Sequence, residues 1–483
     1  MKRFVLSISA VFFGFIVLVI FGNKGTRSQE SLPILRPTPK DSSRSDSKLR
    51  KKTKAQGTYA LFARPQLHGQ TTFALRKVSA PFRPAKPNVP KAYRPLSSIE
   101  SDIKSLQEEY PDIVKIDQIG TTTALGLPIW AVKISDNAVK REDEPRILFT
   151  GVHHAREPIG AKICLQLMKR LCERYGKDPK ITRWVNAIEI WFVPLVNPDG
   201  YKYILDNHLS FPWWRKNLRD NNGDGVFDPM IDGVDLNRNY DYNWKDGGDG
   251  KPSSWFYRGK GPFSEKETQA VRDLAIRENF VIGISYHSYG ESILFPWGNY
   301  KKPPDLDLIV DIASKMASRI RRLSGRGNYS ILPLNGRVGQ SSIWMYGYLS
   351  VLDYIVEVAT EYFPAEQDIS SIINENMKGA FYLLDRTLDT GIRGHVIDAF
   401  TKAPLLAEIK VEEFSSDHTH NRKTDAETGG FYRIVNPGRY TLRIISPGYY
   451  TKTLKDVRVL KGQFSNLSIG LYKKAQQPAN GLN

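Results

Sequence analysis

Four stretches of the chain are apolar at nearly every position: RILFTGV at 146–152, IEIWFVPLV at 188–196, FVIGISYH at 280–287 and VLDYIVEVAT at 351–360. A strand with one wet face alternates polar and apolar residues; a strand without that alternation is covered on both faces. A further strand is expected at 129–135. Helical periodicity runs through 159–176, which ends in Gly176, and through 305–325 and 366–388. A capped amphipathic helix is expected within 97–114, stopped by Pro111. Apolar strands alternating with helices predict an α/β domain whose largely parallel sheet is covered on both sides. Ligands of such sheets bind beyond the carboxyl ends of the strands. The cluster VHHAREPIG at 152–160 begins at one such end, and His287 lies at another.

The remaining segments have other textures. Beyond about residue 390, short alternating runs at 392–398, 408–414, 429–435, 439–445 and 464–472 are separated by turns such as NPG and SPG. They predict a small all-β sandwich over 391–473. At the other end, Lys2 and Arg3 precede nineteen uncharged residues, 4–22, enough to span a bilayer. No small-x-small cleavage site follows, which favours an uncleaved signal anchor over a cleaved signal peptide. The expectation is an exported body, tethered to the membrane or secreted if residues 1–22 are removed. Residues 23–92 are rich in Pro, Ser, Lys and Arg and predict a disordered linker. The expected catalytic domain spans 93–388.

The net charge of +18 invites a nucleic-acid partner, and its placement argues against one. Residues 1–94 hold 19 Lys/Arg against 3 Asp/Glu, leaving a net of about +2 on everything after them. The two cysteines, Cys164 and Cys172, lie in one expected helix, roughly 12 Å apart along its axis, too far for a disulfide between them. Nothing implies an obligate oligomer.

The chemistry starts at 153–157. His-x-x-Glu brings two ligands within reach of one ion, and a hydrolytic zinc site needs a third from elsewhere in the chain. His154 and Glu157 alone are weak evidence, and His153 competes at a spacing of four. His287 could be a satisfied core histidine. Glu357 is more telling, because a carboxylate in an apolar strand is costly to bury without a purpose.

Six motifs in order give these residues a context: VHHAREPIG, then VPLVNPDGY at 193–201, WWRKNLR at 213–219, GVDLNRNYDYNW at 233–244, SYHSYGESILFPWG at 285–298 and DYIVEVATEYFP at 353–364. Together they resemble the zinc metallocarboxypeptidases of the carboxypeptidase A-like family over about 93–388. The resemblance implies an α/β/α sandwich over a mixed, mostly parallel sheet, and one Zn2+ per chain held by His154, Glu157 and His287. It implies that Asp235 orients the first zinc histidine, that Glu357 is the general base and that Arg215 stabilises the oxyanion. Asn237 and Arg238 would hold the substrate's terminal carboxylate, and Arg156 would position the substrate. The residues after 390, GHVIDAFTKAPL and TDAETGGFYRIVNPGRYTLRIISPGYY, resemble the transthyretin-like domain of the carboxypeptidase E/N branch.

The chain also departs from the family pattern. The position of the mobile substrate-binding tyrosine falls on Asn335, and the base of the side-chain pocket falls on Ser342, which selects neither basic nor bulky apolar residues. Tyr346 keeps its eleven-residue spacing to Glu357 and is expected at the substrate. A separate stretch, DNNGDGVFD at 220–228, sets Asp220, Asn222, Asp224 and Asp228 at positions 1, 3, 5 and 9 of a calcium loop, although position 12 is Ile231. The expected activity is removal of C-terminal residues from peptides or proteins. Two alternatives stand beside it: a zinc peptidase that cleaves murein peptides, and a non-catalytic peptide-binding protein.

Overall fold

The computed structural model describes residues 58–64, 72–78, 89–205, 211–296, 302–334 and 338–474. An eight-stranded mixed sheet carries the larger domain. Its order is Ser330–Pro333, Ser292–Phe295, Leu352–Val358, Ile282–Ser288, Arg146–Gly151, Glu189–Val193, Pro128–Ile134 and Val114–Thr121. The four central strands are mutually parallel. These are the four stretches without alternation, and nearly every residue in them is buried.

Alternate residues of these strands serve two different cores. Ile147, Phe149, Ile190 and Phe192 face one layer of helices, with Ile163, Leu167, Ile309, Leu383 and Leu384. Leu148, Trp191 and Val193 face the other, with Val271, Leu274 and Trp344. The two-residue period of a strand thus divides an unbroken apolar run between two helix layers, giving an α/β/α sandwich.

Asp353 is an exception within this core. Burial pushes its carboxyl up to about 8. Gly283 makes room for it: a Cβ there would lie 2.5 Å from Asp353 Oδ1. An unfolded Asp titrates near 3.9, so between about pH 4 and pH 8 the folded state binds more protons and stability falls as pH rises. Asp353→Asn is therefore expected to raise the thermal midpoint at about pH 8, with the gain shrinking toward about pH 4. An equal gain at both ends, read by calorimetry, would mean that the carboxyl is not held neutral.

The C-terminal residues form a second, all-β body. A three-stranded sheet (Gly430–Ile434, Gly391–Asp398, Phe464–Leu471) packs on a four-stranded one (Arg422–Lys423, Glu408–Val411, Gly438–Ile445, Lys452–Val459). Ile392, Val396, Ile409, Leu442, Ile444 and Ile469 lie in their shared core. Lys452–Val459 does not read as a strand in the sequence, because its charged residues leave only Val457 and Val459 buried.

Two strands fall within the expected linker. Thr58–Arg64 pairs antiparallel with Thr72–Val78, and the first of these also pairs with Val226–Phe227. Both are seven-residue runs carrying Thr, aromatic and aliphatic residues, a strand composition that averaging over a basic Pro/Ser-rich region conceals. The apolar run 4–22 lies outside the described residues. Among the described residues no helix is long and apolar enough to cross a membrane.

Candidate metal centre and substrate site

Three neighbouring parallel strands end at the site. After Arg146–Gly151 the chain turns at Val152, whose φ of 57° is left-handed, a conformation that costs a β-branched residue about 1–3 kcal/mol. Residues 153–157 follow, and Pro158 leads into the helix Ile159–Arg174. Gly151 lets that helix approach: a Cβ on it would meet Gly160 C and Pro194 O at 2.8 Å. His287 lies near the end of the next strand, and Glu357 is its register partner on the strand beyond. Paired residues of parallel strands project from the same face, so Glu357 and His287 share a side of the sheet.

His154, Glu157 and His287 converge, with one donor atom of each within 4.8 Å of the others. His154 Nδ1 lies 2.9 Å from Glu157 Oε1 and 3.1 Å from His287 Nδ1, which is itself 2.9 Å from Glu157 Oε2. Behind this group, His154 Nε2 lies 3.2 Å from Asp235 Oδ1. A ring proton on Nε2 satisfies that carboxylate and leaves Nδ1 a lone pair, which then faces a carboxylate oxygen and a second imidazole nitrogen. Such crowding of acceptors in a buried place calls for a cation among them. Two imidazoles and one carboxylate are a donor set that zinc accepts.

The charge states agree with that use. Burial works against ionised Glu157, but His154 and His287 hold its carboxyl well below the usual range. Burial pushes His287 down to about 4, so its ring is neutral at neutral pH. Asp235 is buried too, yet Arg215 and His154 keep it ionised. Ligands must be deprotonated to bind a metal, and Glu157 and His287 are. His153 does not join them. Its Nε2 lies 3.0 Å from the Tyr240 hydroxyl and its Nδ1 3.3 Å from Ser285 Oγ.

Arg215 donates from Nε to Asp235 Oδ2 at 2.9 Å, and its Nη1 lies 3.7 Å from Glu157 Oε1. Asn197 fixes the loop that carries it, donating to His153 O and to Lys216 O. Asn237 accepts from the Ser341 backbone N–H at 2.9 Å and places Nδ2 3.1 Å from His287 Nε2. The guanidiniums of Arg215 and Arg238 lie 5.4 and 5.6 Å from the Phe256 ring. Arg156 lies over Tyr362 at 4.3 Å and near Trp255 at 5.6 Å. Ser342 is fully buried, with no hydrogen-bond partner for its hydroxyl.

Two of the expected assignments gain no support from the structure. Tyr346 is not gathered with these groups; it is buried and donates to Asp305 Oδ1, whose other oxygen pairs with Arg433 of the sandwich. The calcium reading is not supported either. Asp220 accepts from Gly223 and Gly225, Asp224 from Val226 and Asp228 from Met230. The short carboxylates close successive turns on their own backbone, and no metal-sized group forms there among the described residues.

The sequence reading also missed the aromatic rim of Trp255, Phe256 and Tyr362. The available signal was WFY at 255–257, three aromatics in an otherwise polar loop. Trp255 and Phe256 remain 39% and 49% exposed.

Comparison with known proteins agrees with this geometry. Mouse carboxypeptidase A4 is 31% identical over 262 residues, 53% of this chain and 60% of that protein. A zinc carboxypeptidase of Saccharothrix mutabilis subsp. capreolus is 30% identical over 282 residues, 56% and 63% of the two chains. The chain thus spans about 60% of the length of these curated relatives. The crystal structure of carboxypeptidase A from Helicoverpa armigera superposes with a TM-score of 0.55 at 22% identity, covering 63% of this chain and 76% of that one; it shares the fold. The carboxypeptidase regulatory-like domain matches residues 391–472. The zinc carboxypeptidase family model matches residues 99–379, more than half of the chain and the span that carries every donor described above; the chain belongs to that family.

Proposed function

We propose that this protein is a zinc-dependent carboxypeptidase that removes single residues from the C-termini of peptides or proteins. The convergence of His154, Glu157 and His287 beside Glu357 carries the reading. Zinc at these ligands supplies a Lewis acid that lowers the pKa of bound water and polarises a carbonyl. Glu357 accepts a proton from the attacking water and passes it to the departing amine. Arg215, held by Asp235, faces the charge that develops on the carbonyl oxygen. Asp235 also fixes the His154 tautomer. Asn237 and Arg238 receive the free carboxylate, Arg156 orients the chain leading to the scissile bond, and Ser342 lies at the base of the side-chain pocket. The basic flank at Lys2 and Arg3 before 4–22 supports action outside the cytoplasm on a membrane tether.

Mass spectrometry of a mixed peptide library, incubated with the protein with and without zinc, tests this reading. Zinc-dependent loss of single C-terminal residues is the expected result, and it reports the preferred residue at the same time. No such loss from folded, zinc-loaded protein would turn attention to murein peptides or to binding. The carboxylate assignment has its own check. Arg238→Met removes a charge-assisted contact, and kcat/KM for free peptides is expected to fall about a hundredfold. C-terminally amidated peptides, which lack that partner, are expected to change little.

A further inference from the structure

The helix Ser341–Leu349 is held at both ends, and the two ends belong to different tasks. At its start, the Ser341 backbone N–H donates to Asn237 Oδ1, and its hydroxyl lies 3.3 Å from the same oxygen. At its end, the holding groups come from the C-terminal sandwich. The His420 N–H donates to Gly347 O at 2.8 Å, and the Ser350 hydroxyl donates to His420 O at 2.6 Å. Arg433 donates from Nη1 to Ser350 O and from Nη2 to Asp305 Oδ2, both at 2.8 Å. The second oxygen of Asp305 receives the Tyr346 hydroxyl. Arg433, Asp305 and Tyr346 are all buried.

A planar guanidinium that satisfies two acceptors at once fixes direction as well as distance. The turn it grips, with Ser350 at φ 56°, ends the helix that pins Asn237. The strand Leu352–Val358 also starts there, but ladders to its neighbours on both sides hold it independently. The helix has no comparable ladder.

The structure assigns Arg433 as a positioning residue for the substrate-carboxylate clamp. Through Asp305, Tyr346 and the Ser350 turn, it sets the helix whose first residue orients the Asn237 amide. The assignment rests on Asn237 holding the substrate carboxylate, as proposed above. A clamp of this kind binds ground state and transition state alike, so its loosening raises KM and spares kcat.

The test uses zinc-loaded full-length protein. Arg433→Met alone leaves the Asp305 carboxylate buried without its cation and could unfold the chain. The double variant Arg433→Met/Asp305→Asn removes both charges and keeps an acceptor for Tyr346. The double variant is expected to fold, keep its zinc and show KM raised about tenfold for the best library peptide, with kcat within about twofold. Arg433→Lys, which keeps the charge without the fork, is expected to fall between it and the parent. Hydrogen–deuterium exchange at the backbone amides of 341–345 is expected to quicken in the double variant. A folded double variant with parental KM, or with unchanged exchange at 341–345, would overturn the assignment. Should the parent cleave no peptide at all, the functional reading falls, and the exchange measurement still decides the coupling.

Discussion

Glu357→Gln is expected to lower kcat by roughly a thousandfold, within the range that a positioned general base contributes, with KM, zinc content and thermal midpoint near the parent values. The substitution keeps shape and removes only the ability to take a proton. Glu357 sits in a strand laddered on both sides, opposite His287 in one neighbour and Ser292 in the other, so the backbone has no reason to move. Its side chain passes close to the 288–291 turn, where a Cβ at Gly290 would approach Glu357 Cβ to 3.3 Å. Gly290 leaves room there for the Glu357 side chain. Steady-state kinetics on a library-derived peptide, paired with metal analysis of the same samples, measures the effect. Residual kcat within about tenfold of the parent would assign the proton transfer to another group.

The centre of the fold was legible because burial on both faces leaves a run with no alternation. The periphery was not, for opposite reasons. Val114–Thr121 buries only Val114 and lies at the sheet edge, so nothing forces a pattern on it. Ser292–Phe295 and Ser330–Pro333 have four residues each, too few for periodicity to register. The helix Lys266–Glu278 was hidden by its own buried face, which mixes Glu267, Thr268 and Glu278 with Ala270, Val271 and Leu274. Glu267 tolerates that position because Thr123 donates to it, and because burial beside Asp199 and Glu265 pushes its carboxyl up to about 8.

The same contrast applies at the site. His154 and Glu157 share the short turn after Arg146–Gly151, and Asp235 and Asn237 sit two residues apart at the start of the 3-10 helix Leu236–Arg238; spacing along the chain limits each pair in space, and the structure gathers both pairs with Arg215. Tyr346 has the expected distance from Glu357 along the chain, but it sits in a helix buried from Ser341 to Gly347. A helix that is apolar all round has no phase to show which side faces the substrate. The direction of Tyr346 was set by a partner about 90 residues later, Arg433, acting through Asp305.

Chelation is expected to abolish hydrolysis reversibly and to lower the thermal midpoint, because the buried convergence of His154, Glu157 and His287 suits a cation. Without one, a buried carboxylate and two imidazole nitrogens confront each other at 2.9–3.1 Å, and the available protons do not satisfy every acceptor. Binding to the folded state alone stabilises by RT ln(1 + [L]/Kd), about 4 kcal/mol at a thousandfold excess over Kd, or roughly 7 °C for a domain of this size. Calorimetry across a zinc titration of the chelated protein reads this directly. His154→Ala and Glu157→Gln are expected to flatten the dependence. Asp235→Asn leaves every ligand in place, yet it is expected to weaken zinc about 10–100-fold by losing the partner that holds the His154 tautomer. The same change removes the closer of the two carboxylates that hold Arg215, so kcat falls further than zinc loss explains, and saturating zinc separates the two effects. A midpoint indifferent to zinc would mean that the three side chains meet for packing, and the catalytic reading would lose its centre.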